Sequence, residues 1–108
     1  MKTLKLTLKK QSFDVMVTGE KCEEFREPSQ WMLSRLYCKD GTRKHYDRIE
    51  YTNGYGSDRP TFTTDFCGFE LVEGGVERVY SNNLKIASSG PLIVIHHSQV
   101  LRISNGRN

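Results

Sequence analysis

The apolar residues of this chain fall in short alternating runs separated by turn-forming residues, and this pattern limits the fold more than any other feature. Leu4, Leu6 and Leu8 alternate with polar residues, which predicts a half-buried β-strand. Further strands are predicted over Lys21–Arg26, Tyr46–Tyr51, Thr61–Val72 and the apolar run from Leu92. Many short strands with Gly-rich turns in a small chain favour a barrel, which also removes exposed sheet edges.

Two short helices are predicted in the first third of the chain. Ser12 is a candidate N-cap for the first helix, and Gly19 is placed to end it in a left-handed conformation. Ser29 is a candidate N-cap for the second helix, over Gln30–Tyr37. The predicted fold class is therefore α+β and mostly β: a small barrel of five to six strands with two short helices near the N-terminus.

Glycines mark the expected turns of the second half. The segment Asn53–Gly56 contains an Asn-Gly dipeptide, which predicts a reverse turn because both residues tolerate positive φ. Gly68 interrupts the strand predicted over Thr61–Val72 and indicates a bulge or bend. Val76–Gly90 follows neither a helical nor a strand period, so no element is predicted there.

A length of 108 residues predicts one domain over residues 1–104, with a frayed tail at 105–108. The formal net charge is +3, which permits an anionic partner without requiring one, because non-specific nucleic-acid binders usually carry a larger positive charge. Cys22, Cys38 and Cys67 lack the paired spacing of a zinc site and are too few for a disulfide framework. No stretch has the length of a membrane span or the pattern of a signal peptide, so a cytoplasmic protein is expected.

The segment Gly19–Arg26 reads Gly-x-Lys-x-x-Glu-x-Arg and lies between a predicted short helix and a predicted strand. This pattern resembles the signature of the ASCH family, which belongs to the PUA-like superfamily of small β-barrels. The likeness extends to Trp31, to Ser34–Leu36 and to the turn Asn53–Gly56, and it is closest to small single-domain members found in phages and bacteria. It is weak over Val76–Gly90. In the last strand, His97 and Ser98 stand where the family usually has Leu and Gly.

Lys21 and Glu24 are the candidate catalytic residues. Glu24 and Arg26 share one face of the predicted strand, close enough for a charge-assisted contact. Lys21 would point to the opposite face of a regular strand. It can contact Glu24 and Arg26 only if it lies in the preceding turn or across a bulge. A lysine held near a carboxylate in a shielded pocket can orient a phosphate or polarise a carbonyl.

Five further side chains are candidates for ligand or RNA binding alongside Arg26: Trp31, Arg35, Tyr51, Asn53 and Tyr55. Trp31 and Arg35 lie four residues apart on one helix face, where they either bind a base and a phosphate or close the barrel mouth. Tyr51, Asn53 and Tyr55 cluster at a strand–turn junction. Their side chains suit stacking and base-edge recognition, although Asn53 also suits a hairpin turn on its own.

The ASCH resemblance implies RNA- or nucleoside-binding in a groove lined by the motif. The alternative that it implies is a hydrolase. Similar amidohydrolases act on acetylcytidine with a Lys and a Thr, and Glu24 stands at the position of that Thr. Similar metal-independent ribonucleases use Lys and Tyr, a role open to Lys21 with Tyr51 or Tyr55.

Neither function requires a metal or another cofactor, and none is expected here. The two histidines His96 and His97 are adjacent in a predicted strand and therefore point to opposite faces, so they do not share a metal easily. No membrane partner is expected. A host protein is a further possible partner if the chain is phage-encoded, and the sequence leaves the oligomeric state open.

Overall fold

The computed structural model describes residues 1–56 and 58–104. In chain order the elements are β1 (Thr3–Leu8), α1 (Lys10–Val17), β2 (Glu23–Arg26), α2 (Gln30–Leu36), β3 (Arg48–Asn53), β4 (Thr61–Val72), β5 (Val76–Val79), β6 (Lys85–Ser88), β7 (Leu92–His97) and β8 (Arg102–Ser104). The tail predicted at 105–108 lies outside the described residues. The described chain is a small compact α+β domain, built mostly of strands with two short helices.

Six strands form the main sheet, in the order β1-β3-β4-β7-β2, with β8 paired to β4 on the edge opposite β3. β1 and β3 run parallel, with Leu4 opposite Ile49, and the other pairs are antiparallel. The crossover between β1 and β3 contains both helices and β2, as a parallel connection requires a long crossover. β2 therefore lies at the far edge of the sheet, next to β7 alone among the described strands.

The two edge strands of the sheet approach each other without pairing. A side chain bridges them: Arg26 Nη2 on β2 donates to the backbone oxygen of Thr7 on β1, at 2.6 Å. Between these strands no backbone ladder is formed in the described part of the chain, so the closed barrel expected from the sequence is not found. The gap leaves the outer edge of β2 without a paired strand in the described part of the chain.

The core lies between the concave face of the sheet and the two helices. Alternate residues of β1 and β3 point into it, and they meet Met16 of α1 with Met32 and Leu36 of α2. Phe13 packs edge-on against Phe62, with ring centroids 5.0 Å apart. Each fully buried leucine, isoleucine, methionine or phenylalanine contributes about 1.5–3 kcal/mol through the hydrophobic effect. These contacts therefore hold the two helices against the sheet.

Local sequence signals predicted several elements correctly. Ser29 caps α2, because its hydroxyl accepts a hydrogen bond from the backbone N–H of Met32 at 3.1 Å. Gly19 follows α1 with φ of +87°, the left-handed conformation expected of it. Gly68 has φ of +95°, and the pairing of β4 with β7 shifts beside it, so the predicted bulge is present.

Other boundaries differ from the prediction. Helix α1 begins at Lys10 with Lys9 at the N-cap, so the prediction that Ser12 caps it is wrong. The chain turns directly from β1 into the helix, and Ser12 lies in its first turn with its hydroxyl buried and unpartnered among the described residues. Strand β3 begins at Arg48 and not at Tyr46, and α2 ends at Leu36.

The segment without a readable pattern is a β-hairpin. β5 and β6 pair only with each other in the described chain, so this hairpin stands apart from the main sheet. It is attached by side chains at its tip: Ser81 donates its N–H and its hydroxyl to the Glu20 carboxylate at 2.8 and 2.5 Å. Asn82 and Gln11 exchange two hydrogen bonds at 2.8 and 3.0 Å. The β5–β6 hairpin thus lies over the motif segment.

Neither described helix has the length or the apolar character that crossing a membrane would need.

Candidate functional site

The predicted catalytic lysine is buried behind the motif strand. Lys21 lies in the turn before β2, where the alternation of a strand does not apply, and its side chain is 0% exposed. Its ammonium donates to the backbone oxygen of Glu23 at 2.5 Å and to Glu24 Oε1 at 3.1 Å. The rings of Phe25 and Tyr80 cover it, with centroids 5.5 and 6.0 Å from Nζ. The turn position is the one that the sequence required for Lys21 to reach Glu24.

The Glu24 carboxylate is held from three directions. Oε1 accepts from Lys21 and from the backbone N–H of Phe25 at 3.2 Å. Oε2 accepts from Arg26 Nε at 2.7 Å, the contact predicted from the shared strand face. Glu24 is therefore a negative group locked between two cations, and its orientation is set before any ligand arrives.

Burial perturbs the lysine of this cluster. Loss of solvation lowers the pKa of Lys21 from its ordinary value, and the nearby Glu24 carboxylate opposes that change without cancelling it. Among cationic side chains, lysine gives up its proton most readily when it is buried. The Lys21 amine is thus closer to a neutral, nucleophilic state than a surface lysine is, although Glu24 separates it from solvent.

Two buried polar side chains stand behind the same cluster. Tyr51 and His97 pack ring to ring with centroids 5.2 Å apart. The Tyr51 hydroxyl and His97 Nε2 have no hydrogen-bond partner within residues 1–56 and 58–104, whereas His97 Nδ1 lies 2.9 Å from the backbone oxygen of Ser98. Burial raises the pKa of Tyr51 well above its ordinary value and lowers the pKa of His97. Both residues are therefore neutral at physiological pH.

A cavity of about 510 Å³ opens on the front of the cluster, between β1 and β2. Motif residues form one wall and include an acid, an aromatic ring and a base: Glu24, Phe25 and Arg26. The other walls come from the end of β1, the start of α1, the turn after β3 and the β5–β6 hairpin. Their residues are Thr7, Leu8, Lys9, Gln11, Ser12, Gly54, Tyr55, Leu84 and Ile86. A volume of this size fits a small organic ligand.

The structure brings three of the predicted site residues to this cavity: Glu24, Arg26 and Tyr55, whose ring is 89% exposed at its rim. Lys21 lies behind Glu24. Asn53 is largely buried, and its backbone serves the turn, with its N–H bound to the Pro60 oxygen and its oxygen bound to Arg59.

Tyr51, Trp31 and Arg35 are placed elsewhere. Tyr51, predicted to bind ligand, is fully buried in the core against Phe62, so its ring is not available for stacking in this structure. The reason is that β3 alternates with Ile49 and Tyr51 pointing inward. None of the described cavity residues comes from α2. Trp31 is 54% exposed and does not close the cavity, while Arg35 stacks on its ring at 4.7 Å.

Four apolar side chains of the cavity were not among the predicted site residues: Leu8, Phe25, Leu84 and Ile86. Phe25 points to the opposite face of β2 from Glu24 and Arg26. It still lines the cavity, because the cavity lies along the free edge of β2, where side chains of both faces reach it. Leu84 and Ile86 belong to the hairpin for which no element was predicted. Nothing local indicated that this hairpin folds over the motif.

In the described chain, the cysteine, histidine and acidic side chains form no group of three or more that is arranged to hold a metal ion. Comparison of the chain with protein-family models, with curated proteins and with solved structures finds no match.

Proposed function

We propose that this chain is an ASCH-type, PUA-like module that binds the base of a nucleoside or of an RNA strand in the cavity between β1 and β2. The curved sheet with its two unpaired edges is then an open form of the PUA-like barrel. The observation that carries the proposal is the Glu24–Arg26 pair, fixed at the wall of a cavity that also has aromatic rings.

The chemistry of the pair suits the edge of a base. Arg26 uses Nε on Glu24 and Nη2 on Thr7, so its third nitrogen, Nη1, is free of hydrogen bonds to the described residues. Glu24 Oε2 accepts one hydrogen bond and has a second lone pair. A donor and an acceptor therefore stand side by side in fixed positions, which is how proteins recognise the edge of an unpaired base.

The aromatic residues supply the second element of base recognition. Phe25 lies beside the pair and Tyr55 stands at the rim, while Leu8, Leu84 and Ile86 make the walls apolar. A planar base in this cavity stacks on a ring and leaves water, and stacking of this kind contributes about 1–3 kcal/mol for each base. The ribose and phosphate face the open side, next to Lys9.

Tyr55→Ala tests the proposal with the least risk to the fold, because the ring is almost wholly exposed. We expect affinity for nucleosides and short single-stranded RNA, measured by calorimetry at low salt, to fall about 5-fold to 100-fold. Leu71→Ala is the matched control, since Leu71 is an exposed apolar residue on β4 outside the cavity. Failure of the wild-type protein to bind any nucleoside or RNA would overturn the proposal.

The second candidate is a hydrolase that acts on a modified nucleoside or on RNA. The buried Lys21 amine with its lowered pKa favours it, because such an amine is a common feature of catalytic lysines. Glu24 cannot form an intermediate by the hydroxyl route of the similar amidohydrolases, so it would act on water as a base. Incubation with acetylcytidine and with a mixed RNA pool tests this candidate. Turnover that is lost in Glu24→Gln supports it, and unchanged substrates exclude it.

A further inference from the structure

Positive charge is concentrated in one segment of the chain. Residues 31–48 contain five of the sixteen Lys and Arg residues and two of the thirteen Asp and Glu residues, so the rest of the sequence has eleven of each sign. A net charge of +3, equal to that of the whole chain, therefore resides in α2, the loop that follows it and Arg48 at the start of β3. We call four cations and one ring of this segment the basic surface: Trp31, Arg35, Lys39, Arg43 and Lys44.

Three of the four cations of the basic surface are held by neutral groups. Arg35 lies over the Trp31 ring, and the Arg43 guanidinium lies over the Phe69 ring at 4.3 Å and donates to the backbone oxygen of that residue. Lys44 Nζ donates to the backbone oxygen of Ser34 at 3.0 Å. None of the four forms a salt bridge with a described carboxylate. The charges of all four are thus available to an anion, and three of them are held in fixed orientations.

Both carboxylates of the loop are already occupied, and Asp47 Oδ2 accepts a hydrogen bond from the backbone N–H of Lys2 at 2.8 Å. Asp40 Oδ1 accepts hydrogen bonds from the backbone N–H and the hydroxyl of Thr42, at 3.0 and 2.7 Å. These two bonds fold the loop and keep the carboxylate on its own turn. The acid therefore shapes the loop and does not pair with Lys39 or Lys44.

An apolar groove of about 570 Å³ lies beside two of the four cations, Lys39 and Lys44. Its floor includes Leu33 and Tyr37, and Lys39 and Lys44 stand on its border. The groove has no acidic residue among its described lining, which also includes Gln30, Ser34 and Cys38. Apolar and aromatic surface bordered by cations is the arrangement that binds successive bases and phosphates of an unpaired strand.

We propose that the basic surface binds the phosphates and bases of a single-stranded nucleic acid. This inference rests on the proposed function, and it makes the base in the cavity one residue of a longer strand. Phosphates contact Lys39, Lys44 and the two arginines, while a base stacks on the exposed Trp31 ring. A free nucleoside occupies only the cavity, so strand and nucleoside respond to different substitutions.

Lys39→Gln/Lys44→Gln tests the inference, and Lys5→Gln/Lys85→Gln is its control with the same change in net charge. All four lysines belong to exposed or half-exposed positions. Each phosphate contact on a single strand contributes about 0.7 to the slope of log K against log salt. We therefore expect the first variant to lose about 1.4 from that slope and to bind 12-mer single strands about 25-fold more weakly at about 0.1 M salt. The control is expected to match the wild type.

RNA and DNA 12-mers are measured by fluorescence anisotropy to find which strand is bound, and polyglutamate serves as a competitor. An equal loss in both lysine variants, or an unchanged salt slope, refutes the inference. So does displacement of the strand by polyglutamate at equal charge concentration, because the surface would then be one for an acidic protein. Tyr55→Ala separates the two proposals: if it weakens nucleoside binding while the basic-surface variant binds strands normally, only the inference fails. If strand binding depends on the basic surface and not on Tyr55, only the cavity proposal fails.

Discussion

Replacing Glu24 by glutamine removes the negative charge that faces the ammonium of Lys21, whose side chain has no contact with solvent. The variant has two ways to respond. Lys21 can stay charged with only neutral acceptors, and an uncompensated buried charge costs about 3–5 kcal/mol. Alternatively, it can release its proton. The cost of this release is counted from the unfolded chain, in which a lysine has its ordinary pKa of 10.5. It is about 5 kcal/mol at about pH 7 and about 2 kcal/mol at about pH 9.

We therefore expect Glu24→Gln to lower the free energy of unfolding by about 3–5 kcal/mol at about pH 7, and by about 2 kcal/mol at about pH 9. Arg26 adds little to this cost, because it keeps its bond to the Thr7 oxygen and is partly exposed. Urea denaturation followed by circular dichroism at the two pH values measures both quantities.

The control is Glu70→Gln, the same substitution at an exposed carboxylate that pairs with His96 at 3.4 Å; its expected cost is below about 0.5 kcal/mol. Lys21→Met in the Glu24→Gln background removes the stranded charge and is expected to restore part of the lost stability. A Glu24→Gln variant as stable as the wild type would show that Lys21 does not depend on this carboxylate. A cost that neither changes with pH nor falls on adding Lys21→Met would show the same.

Three further predictions follow from single contacts. Ser29→Ala removes the N-cap acceptor of α2 and is expected to cost about 1 kcal/mol in urea denaturation; an unchanged midpoint would contradict the cap. Gly74→Ala places a Cβ 2.2 Å from the Ser89 oxygen at a φ of +145°, so we expect a loss of about 1–3 kcal/mol, whereas Gly90→Ala, which meets open space, is expected to be neutral. Burial lowers the pKa of His97, so below pH 6.5 the unfolded chain binds a proton that the folded chain does not. Stability should therefore fall as pH drops through that window, and His97→Asn should flatten this fall in denaturation curves; an identical pH profile would show that His97 titrates freely.

Local patterns were sufficient for the elements whose residues meet one simple environment. Thr61–Val72 alternates around a glycine bulge, and its predicted limits are those of β4. Ser29 is a cap because its hydroxyl needs only the next turn of its own helix. The Glu24–Arg26 contact likewise follows from the pleat of a single strand.

Elements that depend on distant partners were not predictable in this way. The β5–β6 hairpin has short strands with exposed faces, and its position depends on contacts such as Ser81 with Glu20, which are 61 residues apart. Tyr51 and Tyr55 are tyrosines four residues apart in the sequence, yet Tyr51 lies in the core and Tyr55 lies at the cavity rim. Their difference comes from the pairing of β3 with β1 and β4, which turns one ring inward and leaves the other beyond the strand end.

The sequence by itself determined that the chain forms short strands and two short helices, and that an acid and a base of the motif stand together on one strand. Only the tertiary structure decided that Lys21 lies buried behind them and that a cavity opens in front. It also decided that the sheet edges meet through a side chain without a ladder between β1 and β2. The reason is physical: strand alternation and capping act over a few residues, whereas burial, desolvation and the shape of a cavity arise from segments that the fold brings together.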